Sequence, residues 1–318
     1  MATIKTHDLD LSTLKAFENA AAGHEGVLSD PSGELLIKPC TAAEIDFYQQ
    51  TLQDHSDFAE LMPTFMGTLQ LGAPTQAVDP TISHELLETA QDQKDKRLHG
   101  AKLATDTAIV LENLEHGFKH ANVLDLKLGA RLYPEGTAAE KAERLEKVAS
   151  HTTSASLNFR IAGMKVWNGK TMDVYNKFYG RQFTAENVKD GFSTFFSGLQ
   201  AGLGRDDAAE LLETIEAEIA KVRHALERLE SRMFSASLLI VYEGDSGALE
   251  TKAPTLGEVK QSEEDEEDEE EPPIAFQVKM IDFAHAAWTP GEGKDENVIV
   301  GLKNIEKQMD VLISRFVD

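Results

Sequence analysis

An α+β protein of two lobes, with antiparallel sheets and packed helices, is what the sequence predicts, residues 1–116 forming the first lobe and residues 117–318 the second. Three observations carry that prediction. The 318 residues exceed what one hydrophobic core usually organises, and 41% of them are hydrophobic, enough to build a larger interior. Asn168-Gly169 lies between two alternating runs and is the strongest short hairpin signal in the chain. Two long stretches, residues 211–233 and 298–316, repeat apolar side chains at three- and four-residue steps, the period of helices that bury one face.

In the first lobe, Ser12 is placed to cap a short amphipathic helix running through Asn19, and residues 20–28 read as strand and turn. Asp30-Pro31-Ser32-Gly33 is a turn signal, and the strand after it, residues 34–38, has Lys38 as its only cation. Thr41 can cap the next helix, with Glu44 at the reciprocal capping-box position and Ile45, Phe47, Tyr48 and Leu52 on its apolar side. Lys38 and Glu44 then admit two readings. One is a strand-end lysine snorkelling to solvent beside a simple cap; the other is a strand lysine held by a helix glutamate, a device that positions nucleotide phosphates in kinases. Neither a Walker pattern nor GxGxxG occurs, so any glycine cradle for phosphates falls to the turn Gly23-His24-Glu25-Gly26. Residues 71–101 turn polar and read as a surface insertion with a short helix near Glu85. Residues 108–114 return to strand character where a hinge between lobes would lie.

In the second lobe, residues 122–129 and 278–285 each run through aliphatic positions to a carboxylate, Asp125 and Asp282, delivered to a sheet edge or a cleft. An isolated buried charge is costly, so each either reaches solvent or meets a metal, a ligand or a cation. Lys127 lies two residues after Asp125 and shares its face in an extended segment. A cation and two carboxylates gathered from distant parts of the chain suit phosphoryl transfer to an anionic acceptor. Thr137 is placed to cap a helix through Val148, on which Arg144 and Lys147 are neighbours with Glu140, Glu143 and Glu146 as ordinary surface partners. The hairpin strands are residues 156–167 and 171–178, Asp206 or Asp207 caps the long helix, and residues 237–242 form a buried strand. His116 and His120 are four apart, but no third metal ligand accompanies them.

The formal net charge of −24 excludes general binding to nucleic acid or to anionic membranes. Nine of those charges sit in the run 263–271, within an expected disordered loop, residues 246–273, that either solubilises the protein or docks a basic partner. Between Lys119 and Lys189, 12 Lys or Arg face 7 Asp or Glu, a local +5: a chance cluster or a pocket for a small polyanion. Cys40 is the only cysteine, and no stretch of 18 apolar residues occurs, so a soluble intracellular protein with no stable membrane anchoring is expected.

Asp125, Lys127 and Gly129 stand in the spacing Asp-x-Lys-x-Gly, Ser237-Leu238-Leu239 begins a strand, and Ile281-Asp282-Phe283 ends one. With Ile37-Lys38-Pro39, Phe47-Tyr48, Glu112-Asn113-Leu114, Gly163-Met164 and Tyr179-Gly180-Arg181 in the same order, nearly the whole chain resembles the inositol polyphosphate kinase family. Ala121 and Ala236 replace the proline and the first serine usual in the family's patterns, both small changes in kind. The resemblance implies a protein-kinase-like, ATP-grasp arrangement of the two lobes and the use of ATP and Mg2+. Carried over by position, it implies that Lys38 contacts ATP phosphates, Glu112 and Leu114 present hinge backbone to adenine, and Asp125 holds the ribose. Lys127 would contact a substrate phosphate near the reacting hydroxyl, Asp282 the metal, and His285 and Arg144 the inositol ligand, with Lys147 added from the basic helix face. Many relatives carry Asp where Asn113 stands, which leaves a ribose contact from that position open.

Only ten residues separate Gly129 from Glu140, which leaves a more open pocket than the trisphosphate 3-kinases build with their added helices. Residues 127–133 and 140–158 also look most like the fungal form of the multikinase branch, which acts on soluble inositol tris- and tetrakisphosphates towards the pentakisphosphate. The alternatives are a hexakisphosphate kinase making pyrophosphates, and a transcriptional co-regulator scaffold whose acidic loop binds a transcription factor. The resemblance places the protein in the nucleus and cytoplasm.

Overall fold

A computed structural model describes residues 13–17, 26–71, 105–252 and 274–317. Ser12, the turn residues Gly23, His24 and Glu25, the insertion around Glu85 and the acidic run 263–271 lie outside the described residues. The first sheet is antiparallel and orders β1 (Lys15–Ala16), β2 (Leu28–Ser29), β3 (Leu35–Pro39), β5 (Thr107–Glu112) and β4 (Phe65–Gln70). The second orders β11 (Phe276–Ile281), β10 (Ser237–Glu243), β6 (Ala121–Leu128), β7 (Phe159–Trp167) and β8 (Met172–Tyr175), again antiparallel. A small ribbon pairs β9 (Ser231–Met233) with β12 (Ala286–Trp288).

Alternation along β3 divides its side chains between two environments. Leu35 and Ile37 join Ala108 and Val110 in one apolar cluster, while Leu36 and Lys38 face the other way, into a cavity between the sheets. The central strand β6 is buried almost throughout, because the helices Arg205–Arg228 and Glu296–Val317 pack in the core beneath the second sheet. Leu211, Leu212, Ile215, Ile219, Val222 and Leu226 form the buried stripe that the periodicity predicts.

Several boundaries differ from expectation for local reasons. Lys15 and Ala16 pair with Ser29 and Leu28 as a strand, where a helix through Asn19 is read from the sequence. Leu52 is half exposed, and the buried face of the helix Ala42–Asp54 is Glu44, Phe47, Tyr48 and Thr51. The Thr137 hydroxyl donates to the Pro134 carbonyl, and the helix Ala139–Ser150 starts without a side-chain cap. Ser156 belongs to the short helix Thr153–Leu157, which ends on Asn158 at φ 55°, a conformation asparagine tolerates. Gly204 is the N-cap of the long helix, with Asp206 and Asp207 in its first turn, where the positive end of the helix dipole favours them. Residues Ser246–Lys252 are helical, so the expected 246–273 loop does not begin at Ser246.

Glu243, fully buried at the end of β10, ties down the chain that leaves the first sheet. Its carboxylate accepts from the Lys119, His120 and Asp245 amides at 2.9, 3.0 and 3.0 Å and from Lys252 Nζ at 2.9 Å. Lys252 also donates to the Gly117 carbonyl. Burial alone would raise the Glu243 pKa, but Lys252 and the amides outweigh it and hold the carboxyl below its usual value. Glu243→Ala should therefore cost about 3 kcal/mol of stability, since it removes the carboxylate that offsets the charge of Lys252 and that three backbone amides share. A depressed folded pKa means this stabilisation is present above the ordinary carboxyl value and lost as pH falls. Thermal unfolding should show a wide gap between wild type and variant at neutral pH that narrows under acid.

Candidate active site

The cavity between the sheets has an apolar end and a charged end. Leu36, Leu111, Leu114, Val123, Leu239 and Ile281 line the first; Lys38, Asp125 and Asp282 stand at the second. Such a shape suits a ligand with a flat apolar body and an anionic tail. Residues 112–115 border the apolar end as the segment joining the sheets. Their backbone is pinned: Glu112 N–H donates to Thr64 O at 3.0 Å and Asn113 N–H to Glu34 O at 2.7 Å. The Asn113 side chain donates to Gly33 O at 2.7 Å and accepts from Glu115 N–H at 3.1 Å, so it shapes this connecting segment.

Asp125 lies within the central strand β6, only 4% exposed, and lines the cavity, so of the expected placements the cleft is observed and not a sheet edge or a strand end reaching solvent. The irregularity opposite it falls on β7, where Gly163 and Ile161 face Asp125 and Leu126 with Ala162 as the extra residue. Alternation in β6 is therefore unbroken, and Val123, Asp125 and Lys127 keep one face. Arg160 of β7 lies near Asp125; burial and the Arg181 charge push it down to about 10, opposed by Asp125.

Asp282 follows β11 and is the junction of the site. Its Oδ1 lies 2.8 Å from Lys38 Nζ and its Oδ2 3.3 Å from Lys127 Nζ. Lys38 also meets Glu44 Oε1 at 2.8 Å, and Glu44 is itself buried. Thr41 accepts from the Glu44 amide, so the helix is capped while the Glu44 carboxylate serves Lys38. Of the two readings of this pair, the held lysine is the observed one. Burial disfavours the Lys38 charge, but Asp282 and Glu44 outweigh it and hold the ammonium well above the usual lysine range. Lys127 donates as well to Ser235 O at 2.9 Å. Stacking of Phe283 on Phe47, with centroids 4.7 Å apart, fixes the chain after Asp282 against the helix that carries Glu44.

His285 lies beside the first turn of the helix Ala139–Ser150, its Nε2 3.5 Å from Lys141 Nζ. Burial, then Lys141 and Lys127, lower its pKa against the opposing pull of Glu44. Further along that helix, Arg144 is exposed and its charge is felt by Lys177 and Arg181, both lowered by burial and by the neighbouring cations. Lys147 is exposed on the same helix. Lys38, Asp125, Lys127 and Asp282 thus gather at one place, with Glu112 and Leu114 across the cavity and His285 beside them; Arg144 and Lys147 do not line the cavity. Sequence reasoning missed Lys141, Lys177 and Arg181 as members of the cationic side. Their signals were present: Lys141 lies three residues before Arg144, and all three fall in the +5 segment.

Among the described residues no three His, Cys, Asp or Glu gather as a metal cage. Asp282, a hard carboxylate at the charged end of a cleft, fits a small cation that one or two carboxylates and a ligand's phosphates bind together.

A family model for inositol polyphosphate kinase matches residues 108–310. The inositol polyphosphate multikinase of Saccharomyces cerevisiae is 30% identical over 348 residues, covering 93% of this chain and 97% of that protein. That of Schizosaccharomyces pombe is 29% identical and covers 92% and 95%. Mouse inositol hexakisphosphate kinase 1 is 30% identical, but over 71% of this chain and 54% of that protein. The crystal structure of the S. cerevisiae inositol phosphate multikinase in complex with ADP and Mn2+ superposes with a TM-score of 0.66 at 29% identity, covering 88% of this chain and 100% of that one.

Proposed function

The chain belongs to the inositol polyphosphate kinase family, and from that premise we propose that it transfers the ATP γ-phosphoryl group to ring hydroxyls of soluble inositol tris- and tetrakisphosphates, carrying them towards the pentakisphosphate. The observation that carries the reading is Asp282 joined to Lys38 and Lys127 at the anionic end of a hinge-bordered cavity. Two-way coverage of the fungal multikinases, against partial coverage of the hexakisphosphate kinases, favours it over pyrophosphate synthesis.

The apolar end of the cavity would take adenine, with the backbone of Glu112 and Leu114 as its polar partners and Asp125 reaching the ribose. Lys38, held by Glu44, points its charge at the phosphates. Lys127 stands on the opposite side of Asp282 and would meet a substrate phosphate near the attacking hydroxyl. Lys141 and Arg144 extend that cationic side for the remaining phosphates, with His285 beside Lys141 as a further contact to the inositol ligand. Asp282 would hold Mg2+, which neutralises phosphate charge when bound; the ADP and Mn2+ of the yeast relative support both ligands. Attack is in line, and the protein's part is to position the two anions and offset the charge that builds on the transferring group. From the sequence we further propose that the acidic run 263–271 docks a basic transcription-factor partner and that the protein works in nucleus and cytoplasm.

Incubating the protein with Mg2+, ATP and each inositol phosphate in turn tests the reading, with products resolved by anion exchange. Stepwise conversion of the tris- and tetrakisphosphates to the pentakisphosphate is expected. Activity confined to the hexakisphosphate would move the enzyme to the pyrophosphate branch.

A further inference from the structure

Behind the hinge lies a second groove, of about 850 Å3, between the first sheet, the outer edge of β11 and the helix Arg205–Arg228. β11 is the last strand of its sheet, so one of its two edges has no neighbouring strand among the described residues. Which backbone groups face that edge follows from the register. Glu243 N–H donates to Ala275 O, so alternate residues Gln277, Lys279 and Ile281 spend their groups on β10, and Phe276, Val278 and Met280 turn theirs outward. Met280 N–H confirms the phase by donating outward to Leu61 O at 2.8 Å. Among the described residues nothing pairs with the outward groups of Phe276 and Val278.

An exposed strand edge is normally guarded by a projecting charge, a proline or a bulge. Lys279, the charge on this strand, is instead turned to the Glu60 carbonyl. Apart from the amides Asn113 and Gln277 and one histidine, the rest of the lining is apolar or acidic, the acidic members being Glu34, Glu60, Glu112 and Glu218. His116 is its other basic group, 3.9 Å from Glu34.

We propose that this groove is a docking site for an extended, lysine- or arginine-bearing segment of a partner protein, which adds to β11 as a further strand through Phe276 and Val278. Main-chain bonds to the edge hold the segment, and alternate basic side chains meet the glutamates. The site is separate from the anionic end of the cavity at Asp282, and it shares Glu112 and Asn113 with the hinge.

The test uses the full chain and a short capped peptide of alternating lysine and valine, at about 0.15 M ionic strength so that diffuse attraction to the acidic protein is screened. Binding by fluorescence anisotropy, with new hydrogen-exchange protection at the Phe276 and Val278 amides, is expected. A proline at the centre of the peptide, or Glu34→Lys with Glu218→Lys in the protein, should each weaken binding at least about tenfold. Glu34 is exposed and Glu218 partly so, neither lines the cavity that holds Asp282, and thermal unfolding establishes that the double variant is folded. Equal affinity for the proline peptide or for the double variant would overturn the proposal in favour of non-specific adhesion. No binding, with both amides protected in the free protein, would overturn it by assigning the groove to this chain's own residues.

Discussion

Replacing Asp282 with asparagine should lower turnover about a thousandfold while the protein stays folded, equivalent to on the order of 4 kcal/mol of lost transition-state stabilisation. Asp282 sits at φ 66°, a left-handed conformation that asparagine shares with aspartate and that alanine or leucine would adopt only with strain. Asparagine also keeps a carbonyl oxygen for Lys38, which in any case retains Glu44. What the variant loses is the negative charge, the property that a cation shared with nucleotide phosphates requires. The measurements are kcat with inositol trisphosphate at saturating ATP, Mn2+ binding in the presence of ADP, and the thermal midpoint. A folded variant with weak Mn2+ binding and little turnover is expected; ordinary activity would remove Asp282 from the metal role.

Much of this site was legible in the sequence, and the gaps have physical causes. Lys38, Asp125, Lys127 and Asp282 stood out because charges inside aliphatic runs are costly and must be explained by a partner. Their partners were less visible. Glu44 reads equally well as a capping-box residue, and only the fold shows Thr41 capping alone while the carboxylate reaches β3. Asp125 closes an aliphatic run, which fits a strand end as well as a cleft position, and only the fold shows β6 continuing past it to Leu128 with Asp125 on the cavity face. Lys141, Lys177 and Arg181 come together with His285 and Arg144 through the packing of separate segments, which no spacing encodes. The β11 groove was invisible for a related reason: strand order decides which edge is left unpaired, and periodicity carries no information about order.

Lys127→Ala should lose turnover about a hundredfold or more, with the Michaelis constant for ATP nearly unchanged. Lys38 and Lys127 both touch Asp282, but they arrive from opposite sheets, β3 and β6, so they flank the carboxylate. Lys38 is backed by Glu44 and lies with the nucleotide-bordering residues; Lys127 lies towards His285, whose pKa its charge helps to lower. A cation there acts on the acceptor and on charge developing between the two anions, which is a turnover effect. Its bond to Ser235 O complicates a simple truncation, because Ser235 itself sits at φ 59° and links β9 to β10. Lys127→Met separates the two roles by keeping the aliphatic stem and removing only the ammonium. If both variants lose kcat and unfold like wild type, the charge is what matters. If either raises only the Michaelis constant for ATP, Lys127 belongs to the nucleotide, and the acceptor must be sought nearer Lys141 and His285.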